Sequence, residues 1–339
     1  MLQVGNNILI VLHGSIGDVT RALPLVNRLR DAYPNAKITW SIEPPSFPLV
    51  ENHPAVDEVI VFDRPRWRRS LISFLRRVRA GRFDFVVDLQ RILKSGVISR
   101  WTGAPHRLGF HRLDSKEGNW LFNNLHIEVT GQGLSKLSHY LKFAEYLGVP
   151  TRPIEWKIRW SSEEDEIVSR RLRSVGDRFA VFYLGARWES KRWFPHDAAL
   201  CAREVHDRYG LSIVVLGGEG DLSLAREMEN YGMVPLANFV GVNTLRESVV
   251  MLARARVAVG PDTGLMHLSA AVGTPVVSLW GATDPVRTGA WGSEGLVIRG
   301  KADCSPCYRK TCAIGRICMQ SIPVEAVVTK VGEALTGGC

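Results

Sequence analysis

Short runs made almost wholly of apolar residues recur along this chain, each followed by a glycine-containing turn and then by an amphipathic stretch. The first is Ile8-Leu9-Ile10-Val11-Leu12, which leads into HGSIGDVTRALPLVNRLRDAYP, residues 13–34. A run apolar at every position suits a strand covered on both faces, as in a parallel sheet, where an alternating pattern would mark a strand wet on one side. Lys37–Ile42, Glu58–Phe62 and Phe83–Leu89 continue the series. After a Gly148-Val149-Pro150 stop and a strong helix start at Ser161-Ser162-Glu163-Glu164, the pattern restarts. Phe179–Leu184, Leu211–Leu216, Val257–Val259 and Pro275–Leu279 alternate with helices beginning near Pro195, Asp221, Thr244 and Thr263. Alternation of this kind predicts right-handed βαβ units, and 339 residues exceed the usual size of one domain. The fold class expected is α/β: two doubly wound, Rossmann-like domains, residues 1–155 and 156–339, facing a central cleft.

Ligands of such sheets bind where the strands end, so the turns after the strands carry the functional argument. In GPDTGLMHLSAAVG, residues 260–273, Asp262 and Thr263 have the chemistry of helix N-caps, and Gly264 leaves room for a ligand against the backbone. Free N–H groups and a helix dipole there suit an anion, with a diphosphate the natural guest. His267 follows Thr263 by four residues, one helical turn on. The turn after Leu184 offers Arg187, Lys191 and Arg192 as a phosphate clamp, Gly217-Gly218-Glu219-Gly220-Asp221 offers Glu219 to ribose hydroxyls, and Thr283-Asp284-Pro285 ends on the same edge. Singly, each reads as plain turn chemistry; together they describe a nucleotide-diphosphate pocket in the second domain. In the first domain Gly14-Ser15-Ile16-Gly17-Asp18 lacks the third glycine of a dinucleotide fingerprint, and Asp18 would repel a pyrophosphate. A carboxylate aimed from that loop is better suited to take a proton from a hydroxyl, although a helix-start charge is an ordinary use of Asp.

Charge is uneven. Residues 1–150 hold 20 Lys and Arg against 13 Asp and Glu, whereas the remainder hold 23 against 21. Eight arginines (64, 66, 68, 69, 76, 77, 79 and 82) lie in one 19-residue stretch with no acid between them, interleaved at helical spacing with Trp67, Leu71, Phe74, Leu75 and Val78. Such a segment predicts an anionic partner, and a basic amphipathic helix can lie on an anionic membrane surface; charge alone does not separate lipid, nucleic acid and phosphorylated sugar. No secretory signal or membrane-spanning run is read, so a soluble, cytoplasmic protein is expected. Cys304, Cys307, Cys312 and Cys318 form a C-x2-C-x4-C-x5-C cluster, which in a cytosolic chain points to a structural zinc before a disulfide, with reduced thiols as the alternative.

HGSIGDVTRALP, ESKRWFP, GGEGD, PDTGLMHLSAAVGTPVVSLWGATDP and CSPCYRKTC occur in that order over nearly the whole chain. In these motifs the sequence resembles the ADP-heptose:lipopolysaccharide heptosyltransferases, glycosyltransferase family 9, of GT-B architecture, the cysteine-rich tail being closer to the heptosyltransferase II type. The resemblance implies inverting, metal-independent transfer of heptose from ADP-heptose to the lipopolysaccharide inner core, on Kdo-lipid A or a heptosylated acceptor, peripherally at the cytoplasmic face of the inner membrane. It implies Asp18 as general base and Lys191 as diphosphate ligand, both catalytic. Asp262, Thr263, Gly264 and His267 would surround the diphosphate and sugar, with Arg187 in the clamp and Glu219 near the adenosine. Acceptor binding would belong to the N-terminal domain, through Gly17, Arg64, Arg66, Arg68 and Arg69. No cofactor and no nucleic acid are expected. Pro261 and Met266 depart from the residues expected beside this motif. Two other readings remain at this point: a family member using another nucleotide sugar or acceptor, and a non-catalytic nucleotide- or RNA-binding protein.

Overall fold

Each half of the chain is built on a six-stranded sheet in which every neighbouring pair of strands runs parallel. The computed structural model describes residues 4–131 and 133–337, and the chain divides into two units, Met1–Arg159 and Trp160–Cys339. Unit 1 runs β1 (Asn7–Val11), α1 (Ile16–Ala32), β2 (Lys37–Ile42), β3 (Glu58–Val61), α2 (Trp67–Ala80), β4 (Phe85–Asp88), α3 (Leu93–Trp101), β5 (His106–Gly109), β6 (Leu125–His126) and α4 (Lys136–Tyr146). Its strand order is β3-β2-β1-β4-β5-β6.

Unit 2 opens with α5 (Ser162–Arg171) and continues β7 (Phe179–Phe182), α6 (Pro195–Tyr209), β8 (Ser212–Val215), α7 (Leu222–Asn230), β9 (Leu236–Asn238), α8 (Leu245–Arg254) and β10 (Val257–Pro261). Then come α9 (Gly264–Ala271), β11 (Val276–Trp280), α10 (Pro285–Thr288), β12 (Val297–Arg299), α11 (Ile317–Gln320) and α12 (Val324–Thr336). The order β12-β11-β10-β7-β8-β9 repeats the topology of unit 1. In both units the first and fourth strands are neighbours, so the connections diverge between them and open the crevice at which doubly wound sheets bind ligands.

The apolar runs do what their composition requires. Leu9, Val11 and Val86 pack beneath Phe74 and Val78 of α2 and Ile98 of α3, and Ile8 and Ile10 are equally inaccessible on the other face. In unit 2 the ring of Phe182 stacks on Trp193 at 5.8 Å. Gly260 belongs to β10, not to the turn, and is glycine because Tyr183 fills the space: a Cβ there would lie 2.2 Å from the Tyr183 carbonyl oxygen. The sequence does not announce the edge strands β6, β9 and β12 or β5 beside β6. They are short, and HRLG or LH contains no apolar run to read; backbone pairing to a neighbour makes them strands.

The boundary lies four residues beyond the expected 155. Residues 152–156 belong to unit 1 because they are tied down to it: Asn27 donates to the Glu155 carbonyl (2.6 Å), Arg28 to that of Arg152 (2.9 Å), and Trp156 Nε1 to that of Thr20 (2.9 Å).

Just past β1, His13 is buried between α2 and the sheet, stacked on Phe62 at 5.3 Å with Nε2 2.8 Å from Ser41 Oγ. Burial, helped by nearby Lys94, lowers its pKa to about 3. A folded pKa below the unfolded value means stability that is complete above about pH 6.5 and is lost as pH falls. Unfolding of unit 1, followed by denaturant titration, should therefore cost on the order of 2 kcal/mol less at about pH 5 than at pH 7 through this group alone. His13→Gln should remove that part of the pH dependence.

Candidate active site

Parallel strands end together, and the helices that follow them start there with N–H groups pointing outward, so both units concentrate polar groups at the carboxyl edge of the sheet. In unit 1 the edge at β1 carries Asp18. It sits not in the loop but at the third position of α1, in a capping box: Ser15 Oγ accepts from the Asp18 amide (3.4 Å), and the Asp18 carboxylate accepts from Ser15 N (3.2 Å) and Oγ (2.8 Å). The helix-start role and a chemical role thus fall on one side chain. Its other oxygen receives two cations, Arg21 from the next turn of α1 and Lys136 from α4, each at 2.8 Å. Burial alone would raise the carboxyl's pKa, but Lys136 and Arg21 outweigh it and hold the group far below the usual carboxylate range. Asp18 is therefore a fixed anion that keeps a fifth of its side-chain surface open to solvent.

The neighbourhood of Asp18 is basic. From the β4–α3 turn, Arg91 lies 4.2 Å over the ring of Phe110 and approaches His139 Nδ1, on α4, at 2.7 Å. That turn is held by Asp88 at the end of β4, whose carboxylate accepts from Asn119 (2.8 Å), the Gln90 amide (3.0 Å), Ser95 and Asn123 (3.2 Å each). Burial pushes the Asp88 carboxyl up to about 6 against those donors. A lone apolar run ending in Asp gives no sign of this network in the sequence, because its donors come from positions 90 to 123.

In unit 2 the corresponding edge carries Asp262, directly after β10. Its carboxylate is buried and accepts from Lys191 Nζ (3.2 Å), after β7, and from Thr283 Oγ1 (2.9 Å), after β11. Asp262 therefore does not cap α9. Thr263 occupies the N-cap position without a side-chain hydrogen bond, so the first N–H groups of α9 are left for another acceptor. Lys191 Nζ also lies 5.1 Å from the Trp188 ring centre. A cavity of about 340 Å³ opens beside Thr283, lined among others by Trp280, Asp284, Arg299 and Lys301.

Two features that hold this edge are not legible from motifs. Asp221 folds back to accept from the Gly218 amide (3.1 Å) and lies where a Cβ on Gly185 would be, so the turns after β7 and β8 interlock. The cysteine-rich segment also straps down both turns that meet at Asp262. Ser190 bonds the carbonyls of Arg309 and Lys310, Glu189 accepts from Arg316 (3.1 Å) and from the Cys312 amide (3.1 Å), and Arg316 donates to the Arg192 carbonyl (3.0 Å). On the other side Ser305 and Tyr308 bond the carbonyls of Gly281 and Ala282.

Glu219 is exposed on the turn after β8, and Arg187 is exposed on the turn after β7 that also carries Lys191. His267 is buried in α9, and Gly17 in the first turn of α1. The eight arginines are not one cluster. Arg64, Arg66, Arg68 and Arg69 lie at the start of α2, on the carboxyl edge, whereas Arg76, Arg77, Arg79 and Arg82 begin about 10 Å further along the helix and run to its other end. As for the zinc expected at Cys304, Cys307, Cys312 and Cys318, no group of three or more His, Cys, Asp or Glu side chains among the described residues is arranged to hold a metal ion, while Cys304, Cys307 and Cys312 all lie within electrostatic reach of the Cys318 thiol. Cys312 Sγ accepts from the Arg316 amide (3.2 Å) and Cys318 is buried under Gly281; the sixth cysteine, Cys339, lies outside the described residues.

Known proteins share both the sequence and this architecture. Lipopolysaccharide heptosyltransferase 1 of Pseudomonas aeruginosa is 29% identical over 321 residues, covering 90% of this chain and 87% of that protein. Lipopolysaccharide heptosyltransferase 2 of Escherichia coli K12 is 26% identical over 310 residues, covering 86% and 87%, so the two types stand at similar identity. A glycosyl transferase family 9 structure from Veillonella parvula superposes with a TM-score of 0.83 at 22% identity, covering 98% of each chain. The E. coli ADP-heptose lps heptosyltransferase II structure does so with 0.76 at 22% identity, covering 97% of this chain and 98% of its own. These likenesses establish a shared two-unit α/β fold. The family model for glycosyltransferase family 9 (heptosyltransferase) matches residues 71–318, well over half the sequence, and the chain is a member of that family.

Proposed function

We propose that this chain is an inverting heptosyltransferase that moves heptose from ADP-heptose to a sugar hydroxyl of the lipopolysaccharide inner core, on Kdo-lipid A or a heptosylated acceptor at an anionic membrane surface. The observation that carries the reading is Asp18, a solvent-touching carboxylate held ionised by Lys136 and Arg21 at the ligand edge of unit 1. In the step, the acceptor oxygen forms a bond to the anomeric carbon on the face opposite the departing ADP, the bond from that carbon to the phosphate oxygen breaks with its electron pair, and Asp18 takes the hydroxyl proton. So weak a base cannot remove the proton beforehand; it accepts it as the new C–O bond makes the hydroxyl acidic.

The charge that develops on ADP falls to Lys191 and the uncapped start of α9 at Thr263 and Gly264, preorganised groups that take the place of a cation. Lys191 would exchange its bond with Asp262 for one to the diphosphate. His267 supports the same turn, Arg187 adds to the diphosphate clamp, and Glu219 meets the adenosine side of the donor. Gly17 and Arg64, Arg66, Arg68 and Arg69 receive the acceptor, whose carboxylates and phosphates suit guanidinium groups.

Asp18→Asn should leave ADP affinity within about twofold and lower turnover by about 10²–10⁴-fold; undiminished turnover would remove Asp18 from the mechanism, and a chain that only binds nucleotide or RNA would not register the change at all. Lys191→Ala should weaken ADP binding, measured by calorimetry, by about tenfold or more. Arg316→Ala, which frees the strap but touches no ligand in this scheme, should produce a smaller loss in the same measurement. Equal affinity in all three proteins would contradict the clamp. Turnover should be unaffected by a chelator.

A further inference from the structure

Helix α3 exposes three large apolar side chains in one stripe: Leu93, Val97 and Trp101 are 45%, 44% and 49% accessible and lie four residues apart. The stripe continues sideways. Leu121, in the turn 119–122 that packs on α3, is 67% exposed, and Ile72 on α2 is 64% exposed. These residues do not hang loosely. Trp101 Nε1 donates to the Leu75 carbonyl (3.0 Å), and Arg79 donates to the carbonyls of Trp101 (3.4 Å) and Thr102 (3.1 Å), so the indole is fixed between the two helices.

Cations surround the apolar surface. A cavity of about 400 Å³ is lined by Arg79, Val97, Arg100, Trp101 and Phe122, and a second of about 660 Å³ adjoins it with Arg76 and Arg82 at its rim. Neither α2 nor α3 contains an acidic residue. The acids that reach this side of unit 1 are engaged elsewhere: Glu58 pairs with Lys37 and Arg77, Glu43 with Lys94, and Glu117 accepts from the Leu93 amide. None of them pairs with Arg76, Arg79, Arg82 or Arg100.

We propose that α3 and the C-terminal half of α2 form a docking surface for an anionic phospholipid bilayer. Ile72, Val97 and Trp101 enter the interface while Arg76, Arg79, Arg82 and Arg100 meet headgroup phosphates. A tryptophan anchored by its N–H beside aliphatic groups and guanidiniums is the composition that partitions into the boundary between headgroups and acyl chains. A protein partner for this face would need acids to match the arginines and an apolar surface to match the stripe; a bilayer of anionic lipid supplies both without specific pairing. The surface is distinct from Arg64 to Arg69 at the other end of α2, and it holds whichever sugar the enzyme transfers. It also fits the proposed chemistry: α3 begins at the carboxyl edge, so a unit lying on this side keeps that edge next to the membrane.

Sedimentation of the full chain with vesicles tests this. The protein should bind phosphatidylcholine–phosphatidylglycerol vesicles and bind pure phosphatidylcholine at least about tenfold more weakly, with binding to the anionic vesicles falling as salt rises. Two double variants, Ile72→Asp with Val97→Asp and Arg76→Glu with Arg100→Glu, change only exposed side chains; each should cut vesicle binding about tenfold or more while ADP affinity and turnover on a water-soluble acceptor fragment stay unchanged. Arg64→Ala, Arg66→Ala, Arg68→Ala and Arg69→Ala combined should leave vesicle binding in place. Absence of vesicle binding, equal binding to neutral and anionic vesicles, undiminished binding by both double variants, or loss of binding in the quadruple variant would each overturn the proposal.

Discussion

A parallel strand covered on both faces has no room for a charge, and that exclusion arranges everything else in this protein. Leu9, Val11, Val181, Phe182, Val257 and Val259 are fully inaccessible, and an unpaired ion among them would cost several kcal/mol. Charged groups therefore collect where the strands stop, beside the N-termini of the following helices, and both units place their candidate residues there. The same exclusion explains why the topology matters more than any single motif. With β1 beside β4 and β7 beside β10, Asp18 follows one strand of a switch point and Lys191 and Asp262 follow the two strands of the other.

At both edges a carboxylate and a cation are already engaged before any ligand arrives, and the two arrangements differ in consequence. Lys136 and Arg21 share Asp18 with the α1 cap, so the carboxylate is aimed and ionised. Lys191 and Asp262 form a pair that is mostly hidden from water. Partly buried pairs contribute little net stability because the attraction is offset by lost hydration, which leaves such a pair free to serve position. The strap from Ala302 to Arg316 extends that logic: its bonds to Glu189, Ser190, Arg192, Gly281 and Ala282 fix the turns that carry Lys191 and Thr283.

Residues whose role follows from backbone pattern were readable directly. The runs around Ile8, Phe179 and Val257 announce their strands because burial on two faces admits nothing else, and Ser161 with Glu164 announces its capping box. Asp18 was readable as a carboxylate at the sheet edge, and as a helix-start charge in the alternative; that Lys136 is its partner depends on α4 returning more than a hundred residues later to lie against α1. Asp262 was read as a cap and turned out to be a partner of Lys191 and Thr283, because helix-capping preference is local whereas the competing partners are brought by two other strands. The arginine run was legible as charge but not as two ends of a helix. The cysteine spacing suggested a metal and gave no sign that the surrounding segment also braces the turns that carry Lys191 and Thr283.

Heptose transfer with Asp18 as the proton acceptor is tested most directly by incubating the full chain with ADP-heptose and purified core acceptors of increasing length, and reading product masses. One added heptose is expected on a lipopolysaccharide core acceptor, none with other nucleotide sugars, and far slower product formation when Asp18 is replaced by Asn. Absence of product with every core acceptor, or transfer from another nucleotide sugar in preference to ADP-heptose, would contradict it.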